Sequence, residues 1–166
     1  PLAAATKASA RTFDLGIASY TFRSLSLDDT IAAVKKLGIT KLAIKSMHMP
    51  LDASPEVIKA TAEKIRAAGL DLYGVGVIYM KTEQEVSGAF EYAKNAGIKM
   101  IVGAPNHEFL PLVEQKVKEY DIKLAIHNHG PGDDAYRSPT NAYNLIKTLD
   151  KRIGLCIDVG HVVRIK

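Results

Sequence analysis

The chain has 166 residues, 47% of them apolar and 24% charged, which suits one domain with a packed core and excludes a disordered or low-complexity protein. No apolar run approaches the roughly 18 residues needed to cross a bilayer, and the single Cys156 excludes an internal disulfide. The net charge of +4 is spread along candidate helices, a solvated outer face rather than a nucleic-acid patch.

The chain starts Pro1-Leu2-Ala3-Ala4-Ala5, without methionine, and Ala8-Ser9-Ala10 has the small-x-small pattern of a processing region. Residues 1–11 are read as a tail, either the remnant of an export signal or an artificial boundary. Localisation is accordingly left between exported and cytoplasmic, leaning exported. Residues 12–166 are read as the domain.

One unit then recurs: an apolar strand, a polar linker, an amphipathic helix, and the next strand. The first strand is expected over 13–20. Ser26 and Asp29 form a capping-box pattern before Leu27, Ile31, Val34 and Leu37 at helical spacing. A second strand follows over 41–46, and Ser54-Pro55 opens a helix carrying Ile58, Ala62, Ile65 and Ala68. The third strand is expected over 70–80, then a helix capped by Thr82 and Glu85 with Val86, Phe90 and Ala93 inside. A fourth strand over 99–103 precedes a helix over 109–120, and a fifth over 123–126 precedes a helix opened by Ser138-Pro139 and running through Leu145 and Leu149. The sixth strand, 153–157, leads to Asp158.

Strands alternating with helices at a period of about 24 to 31 residues imply a parallel sheet covered by helices. An open doubly wound sheet and a (β/α)8 barrel both fit. The even repeat and the polar residues at most strand ends favour the barrel, and no glycine-rich phosphate loop follows the first strand. A barrel uses eight units and about 250 residues. Six strands and five helices are counted here, so the expectation is a barrel whose C-terminal part is absent, with two strand edges open to association and a homo-oligomer possible.

The chemistry gathers at the strand ends. All five histidines, His48, His107, His127, His129 and His161, sit at or just beyond one, and are expected on one face of the fold. In a strand, alternation points His127 and His129 to one side and Asn128 to the other. His127 and Asp158, an imidazole and a carboxylate on adjacent strand ends, are candidate ligands for one divalent cation such as Mn²⁺, Zn²⁺, Co²⁺ or Mg²⁺, or else a plain hydrogen-bonded pair. His129 is a third ligand or a substrate contact. His161 is a candidate general acid/base, its ordinary pKa lying near working pH, or a loop histidine capping a carbonyl. Lys45 and Lys81 interrupt or end apolar runs, where an unpaired charge is costly; both are expected to face the pocket and polarise a carbonyl or bind an oxyanion. Arg164 suits an anionic or polyhydroxyl substrate, and His48 and His107 are weaker contacts in the loops after strands. Tyr79 and Met80 read as pocket wall.

The runs from Gly16 to Arg23, Gly74 to Lys81, Ala125 to Gly130 and Cys156 to His161 together resemble the sugar phosphate isomerase/epimerase family, xylose-isomerase-like barrels related in fold to endonuclease IV. The resemblance runs from about Phe13 onward and is most specific in the last two runs. It implies a (β/α)8 barrel with one divalent metal at its C-terminal face, ligated from the fifth to eighth strands. Asp158 matches the sixth-strand aspartate, and His161 and Arg164 match positions that commonly touch substrate. Where many members place a fifth-strand glutamate, this chain has His127. The seventh-strand histidine and eighth-strand glutamate fall outside it, so the metal site is expected to be incomplete.

The leading expectation is a metal-dependent isomerase or epimerase acting on a sugar or keto-sugar through an enediolate. A keto-sugar dehydratase or lyase of the same fold is the alternative. A metal-dependent nuclease, which needs more basic surface, and a sugar-binding protein without turnover are the competitors. The expected partner is a small carbohydrate, with neither nucleic acid nor membrane involved.

Overall fold

A computed structural model describes residues 13–165. The tail expected over 1–11 lies outside the described residues. Six strands form one sheet: β1 (Gly16–Ala18), β2 (Lys41–Ile44), β3 (Asp71–Met80), β4 (Met100–Pro105), β5 (Lys123–His127) and β6 (Ile153–Cys156). Every pairing is parallel, and the spatial order is the sequence order, β1-β2-β3-β4-β5-β6. Helices follow the strands: α1 (Leu27–Lys36), α2 (Pro55–Ala67), α3 (Glu83–Asn95), α4 (Leu110–Tyr120), α5 (Pro139–Ile146) and the short α6 (Val159–Val162). None of the described helices is long and apolar enough to cross a membrane.

Four of these helices start as expected. The side chains of Ser26, Ser54, Thr82 and Ser138 accept the backbone N–H of Asp29, Val57, Glu85 and Asn141. Each satisfies one of the donors that a helix start leaves without an internal partner, worth about 1 kcal/mol. The core lies between sheet and helices. Leu42 and Ile44 of β2, Leu72, Val75 and Ile78 of β3, Ile101 of β4 and Leu124 and Ile126 of β5 are buried there. They share one cluster with Ile58 and Ile65 of α2, Val86 and Phe90 of α3 and Val113 and Val117 of α4. The other strand face lines the inside of the arc, where small residues stand: Ala18 pairs with Ala43, and Ala43 with Gly74.

Three details differ from the sequence reading. The first strand is only Gly16–Ala18, because the chain turns into a 3₁₀ helix at Ser19–Phe22. The fifth helix ends at Ile146, before Leu149, and α6 is an added turn. Register also shifts twice in β3, against Leu42/Ala43 of β2 and between Gly76 and Ile78 on the β4 side. Gly76 carries the second shift with a φ of 137°, and a Cβ there would fall on the Val102 carbonyl. The shift brings Val77 and Tyr79 to the central cavity, while Ile78 and Met80 stay in the core.

Candidate active site

The C-terminal ends of the strands enclose a cavity of about 410 Å³ lined by residues of β1, β3 and β5 and the segments that follow β1, β2, β5 and β6. Strand alternation delivers His127 to it, and the next turn adds His129. Their rings lie 4.8 Å apart, with the His161 ring 5.7 Å from His127 and 5.6 Å from His129. Asn128 points the other way, as alternation requires, and is buried. Its Oδ1 accepts the Asp158 N–H at 2.9 Å and its Nδ2 donates to the Asp158 carbonyl at 3.3 Å. Asn128 thus staples the end of β5 to the residue that follows β6, and fixes where Asp158 stands.

Asp158 is the N-cap of α6, its Oδ1 accepting the His161 N–H at 3.0 Å. Its Oδ2 stands 3.4 Å from His127 Nε2 and 3.7 Å from His161 Nε2. Loss of solvent raises the Asp158 pKa, but the His161 N–H, the neighbouring imidazoles of His161 and His127 and the Gly160 N–H outweigh it, so the carboxyl is held below its ordinary value. Burial is the largest influence on His127 and lowers its pKa; nearby His129 and His161 lower it further, against an opposing pull from Asp158. Near neutral pH the pair is therefore a neutral imidazole beside a carboxylate. The His127 Nδ1 is buried with no hydrogen-bond partner among the described residues.

Those protonation states suit a divalent cation. Metal bonds of about 2.0–2.2 Å set neighbouring ligands roughly 3–3.5 Å apart, and His127 Nε2 and Asp158 Oδ2 have that spacing at 3.4 Å. The two fit as half of a metal site. Among the described residues no three His, Cys, Asp or Glu side chains are arranged to hold an ion. His129 is not a third ligand here, because its Nε2 meets the Tyr79 hydroxyl at 2.9 Å and its Nδ1 faces Asp133 Oδ2 at 3.2 Å, misaligned for a hydrogen bond.

Lys45 enters from the end of β2. Its backbone N–H donates to Ser19 Oγ at 2.8 Å and its Nζ to the Val77 carbonyl at 3.2 Å. The ammonium lies 5.8 Å from the centre of the Tyr20 ring and has no carboxylate partner among the described residues. Burial lowers its pKa. It is the cation of the cavity wall, available to an oxygen that gains negative charge.

Four sequence candidates stand elsewhere. His48 is buried, with Nδ1 3.1 Å from Ser19 Oγ and Nε2 3.2 Å from Thr30 Oγ1 and 3.1 Å from the Leu25 carbonyl. Both its nitrogens are used inside the fold, so it is a packing residue and not a substrate contact. His107 donates to the Ala135 carbonyl at 2.8 Å and packs edge-on against Tyr136, holding the loop after β5. Lys81 is exposed outside the cavity, its backbone N–H bound by Glu85 Oε2 at 2.6 Å as the chain enters α3. Arg164 is exposed; it donates to the Gly160 carbonyl at 3.2 Å, contacts His161 Nδ1 and borders a side pocket with Arg137. All five histidines lie at or beyond the C-terminal ends of parallel strands, on one face of the fold as expected, but only His127, His129 and His161 line the cavity. Tyr20, Asn128 and Asp133 are site residues that the sequence reading missed, and Tyr79 proves to be a bonded member of the site. Only Asn128 had a legible signal, its place between two inward histidines.

The sequence matches no protein-family model and no curated protein. Solved structures do match. One is an uncharacterised protein from Parabacteroides distasonis, at TM-score 0.76 and 23% identity over 90% of this chain and 64% of that one. Another is the IolI protein with a bound zinc atom, at TM-score 0.71 and 17% identity over 86% of this chain and 62% of that one. A third is a D-tagatose 3-epimerase-like protein, at TM-score 0.67 and 18% identity over 90% of this chain and 66% of that one. This chain thus spans 62–66% of the length of the three. The likeness establishes the fold alone, consecutive parallel βα units of the TIM-barrel type.

Proposed function

We propose that this chain carries the catalytic face of a metal-dependent isomerase or epimerase acting on a sugar or keto-sugar. The observation that supports it best is the meeting of Lys45, Tyr79, His127, His129, Asp158 and His161 on one cavity at the C-terminal ends of parallel strands, where barrel enzymes hold their chemistry. Two fold neighbours, a D-tagatose 3-epimerase-like protein and the zinc-bound IolI protein, agree with it.

His127 and Asp158 would hold the cation with donors from outside the described residues, and when bound it would supply Lewis acidity toward a carbonyl and its neighbouring hydroxyl. His161 takes the proton from the carbon next to the carbonyl. The C–H electron pair becomes the carbon–carbon double bond of an enediolate, and the carbonyl π pair moves to oxygen. Lys45 Nζ faces that oxygen's charge in a partly dry wall, where such an interaction is stronger than in water. Return of the proton to the former carbonyl carbon, with the hydroxyl proton of the first carbon passing to the enediolate oxygen as the new carbonyl forms, gives an isomer; return to the opposite face of the first carbon gives an epimer.

A keto-sugar lyase shares the first step and differs only in expelling a substituent from the next carbon. One observation favours keeping it. Among the described residues Asp158 is the sole carboxylate lining the cavity, so they supply no pair of opposed carboxylates for the two faces of the carbon. A test common to both is deuterium exchange: keto-sugars incubated with the protein in D₂O, with Mn²⁺ or with chelator, and read by proton NMR. Metal-dependent loss of the α-proton signal is expected. Binding without exchange in any of them would leave a sugar-binding protein instead.

A further inference from the structure

We infer that the groove on the outer side of Tyr79 is a second sugar subsite, so that the ligand of the central cavity is a glycoside rather than a free monosaccharide. This rests on the carbohydrate reading of that cavity and specifies its substrate class. The groove has a volume of about 410 Å³, within the range of small-molecule sites. It runs between the segment after β2 and helix α3, and Tyr79 is the one residue that lines both spaces. A ligand that spans both has to pass Tyr79.

The chemistry of the groove is that of a sugar surface. A pyranose offers an apolar C–H face and a rim of hydroxyls. The Tyr79 ring, 52% exposed, and Leu51, 44% exposed, supply apolar contact. Asp52 and Gln84 stand on the same walls with side chains that have no hydrogen-bond partner among the described residues, and Glu85 has one oxygen committed to the Lys81 N–H. Carboxylates and an amide of this kind accept from, and in the amide's case also donate to, neighbouring hydroxyls.

Gly88 is the independent observation. It sits inside α3, where glycine is among the least favourable helix residues. Neither dihedral nor neighbouring packing asks for it: its φ is not positive, and beyond its own helix backbone no heavy atom of the described residues lies within 4 Å of where its Cβ would be. Gly88 is exposed and lines the groove, so a large side chain at 88 would crowd the proposed subsite.

The experiment is calorimetric binding of the methyl glycosides of glucose, galactose, mannose and xylose, and of disaccharides containing each, to the protein and to its Gly88→Leu variant. The best disaccharide is expected to bind about tenfold or more tightly than its methyl glycoside. Gly88→Leu is expected to bring that ratio close to one while the melting temperature holds or rises, leucine being the better helix former. Methyl glycoside binding with no disaccharide preference, or a preference untouched by Gly88→Leu, would overturn this inference alone. Absence of binding by every sugar would overturn it together with the carbohydrate reading.

Discussion

Tyr79 Oη lies 2.9 Å from His129 Nε2, and the two rings stack at 18° with centroids 5.5 Å apart. The residues belong to β3 and to the turn after β5, so the bond crosses over β4. Ala104 pairs with Tyr79 in that strand, and its single methyl leaves the space. The Asp133 carboxylate stands 3.2 Å from Nδ1 on the far side of the imidazole, off the line of a hydrogen bond, so the His129 tautomer decides whether the tyrosine oxygen donates to Nε2 or accepts from it.

Tyr79→Phe keeps the stacked ring and removes that oxygen. Stability should change by less than about 1 kcal/mol, since the hydroxyl lies at an exposed position. Turnover in the proposed reaction should fall about 10- to 100-fold, with ¹⁵N NMR showing a changed environment at His129 Nε2. Unaltered turnover with an altered His129 spectrum would restrict Tyr79 to the wall.

Asp158 has two tasks that substitution can separate. As N-cap of α6 it needs only an oxygen acceptor, whereas pairing with His127 or a cation needs its charge. Asp158→Asn should fold with nearly native stability and lose activity by about a thousandfold or more. Asp158→Ala should lose activity equally and about 1 kcal/mol of stability in addition. Denaturant titrations and turnover on the same preparations would show it; substantial activity in the Asn variant would remove Asp158 from the chemistry.

Acid should weaken the fold in two separate windows. The His127 pKa is depressed below its ordinary 6.5, so on acidification the unfolded chain takes up this proton first. Its contribution is whole above about 6.5 and is lost as pH falls through the folded value, at up to about 1.4 kcal/mol per pH unit. Asp158, depressed below 3.8, has the same sign in a lower window: its contribution is whole above 3.8 and lost beneath it. Urea unfolding at pH 7.5 and 5.5 should show a drop that His127→Gln diminishes. An identical drop in the variant would assign the effect to other groups.

Gly76 tolerates no side chain. With its φ of 137° and the Val102 carbonyl in the way, Gly76→Ala should cost about 3 kcal/mol or more, or prevent folding. A denaturation midpoint close to the parent's would show that β3 can adopt another register.

The architecture was legible because each unit repeats the same local signals, an apolar strand followed by a capped helix with one buried stripe. Site residues were legible only within reach of strand alternation. His127 is the last residue of β5 and points inward; Lys45 directly follows β2 and does the same. His48 lies four residues past β2, where a turn and not the pleat sets direction, and its ring enters the fold beside Ser19 and Thr30. Lys81 would continue the inward series of Val77 and Tyr79, but the chain has already bent toward α3. The importance of Tyr79 depended on a register shift at Gly76 and on a partner 50 residues away, neither of which local pattern contains.

The strand order has a consequence for how the molecule is made. Each strand lies beside its predecessor in the chain, so every added unit meets its partner already in place. Loop closures stay short, and a nascent chain can dock one βα unit at a time rather than await a distant segment. Such a sheet behaves in part like a linear array, with stability passed between neighbours. Amide exchange should then be slowest in β3 and β4, which are covered on both sides, and quicken toward β1 and β6, each paired on one side only among the described residues.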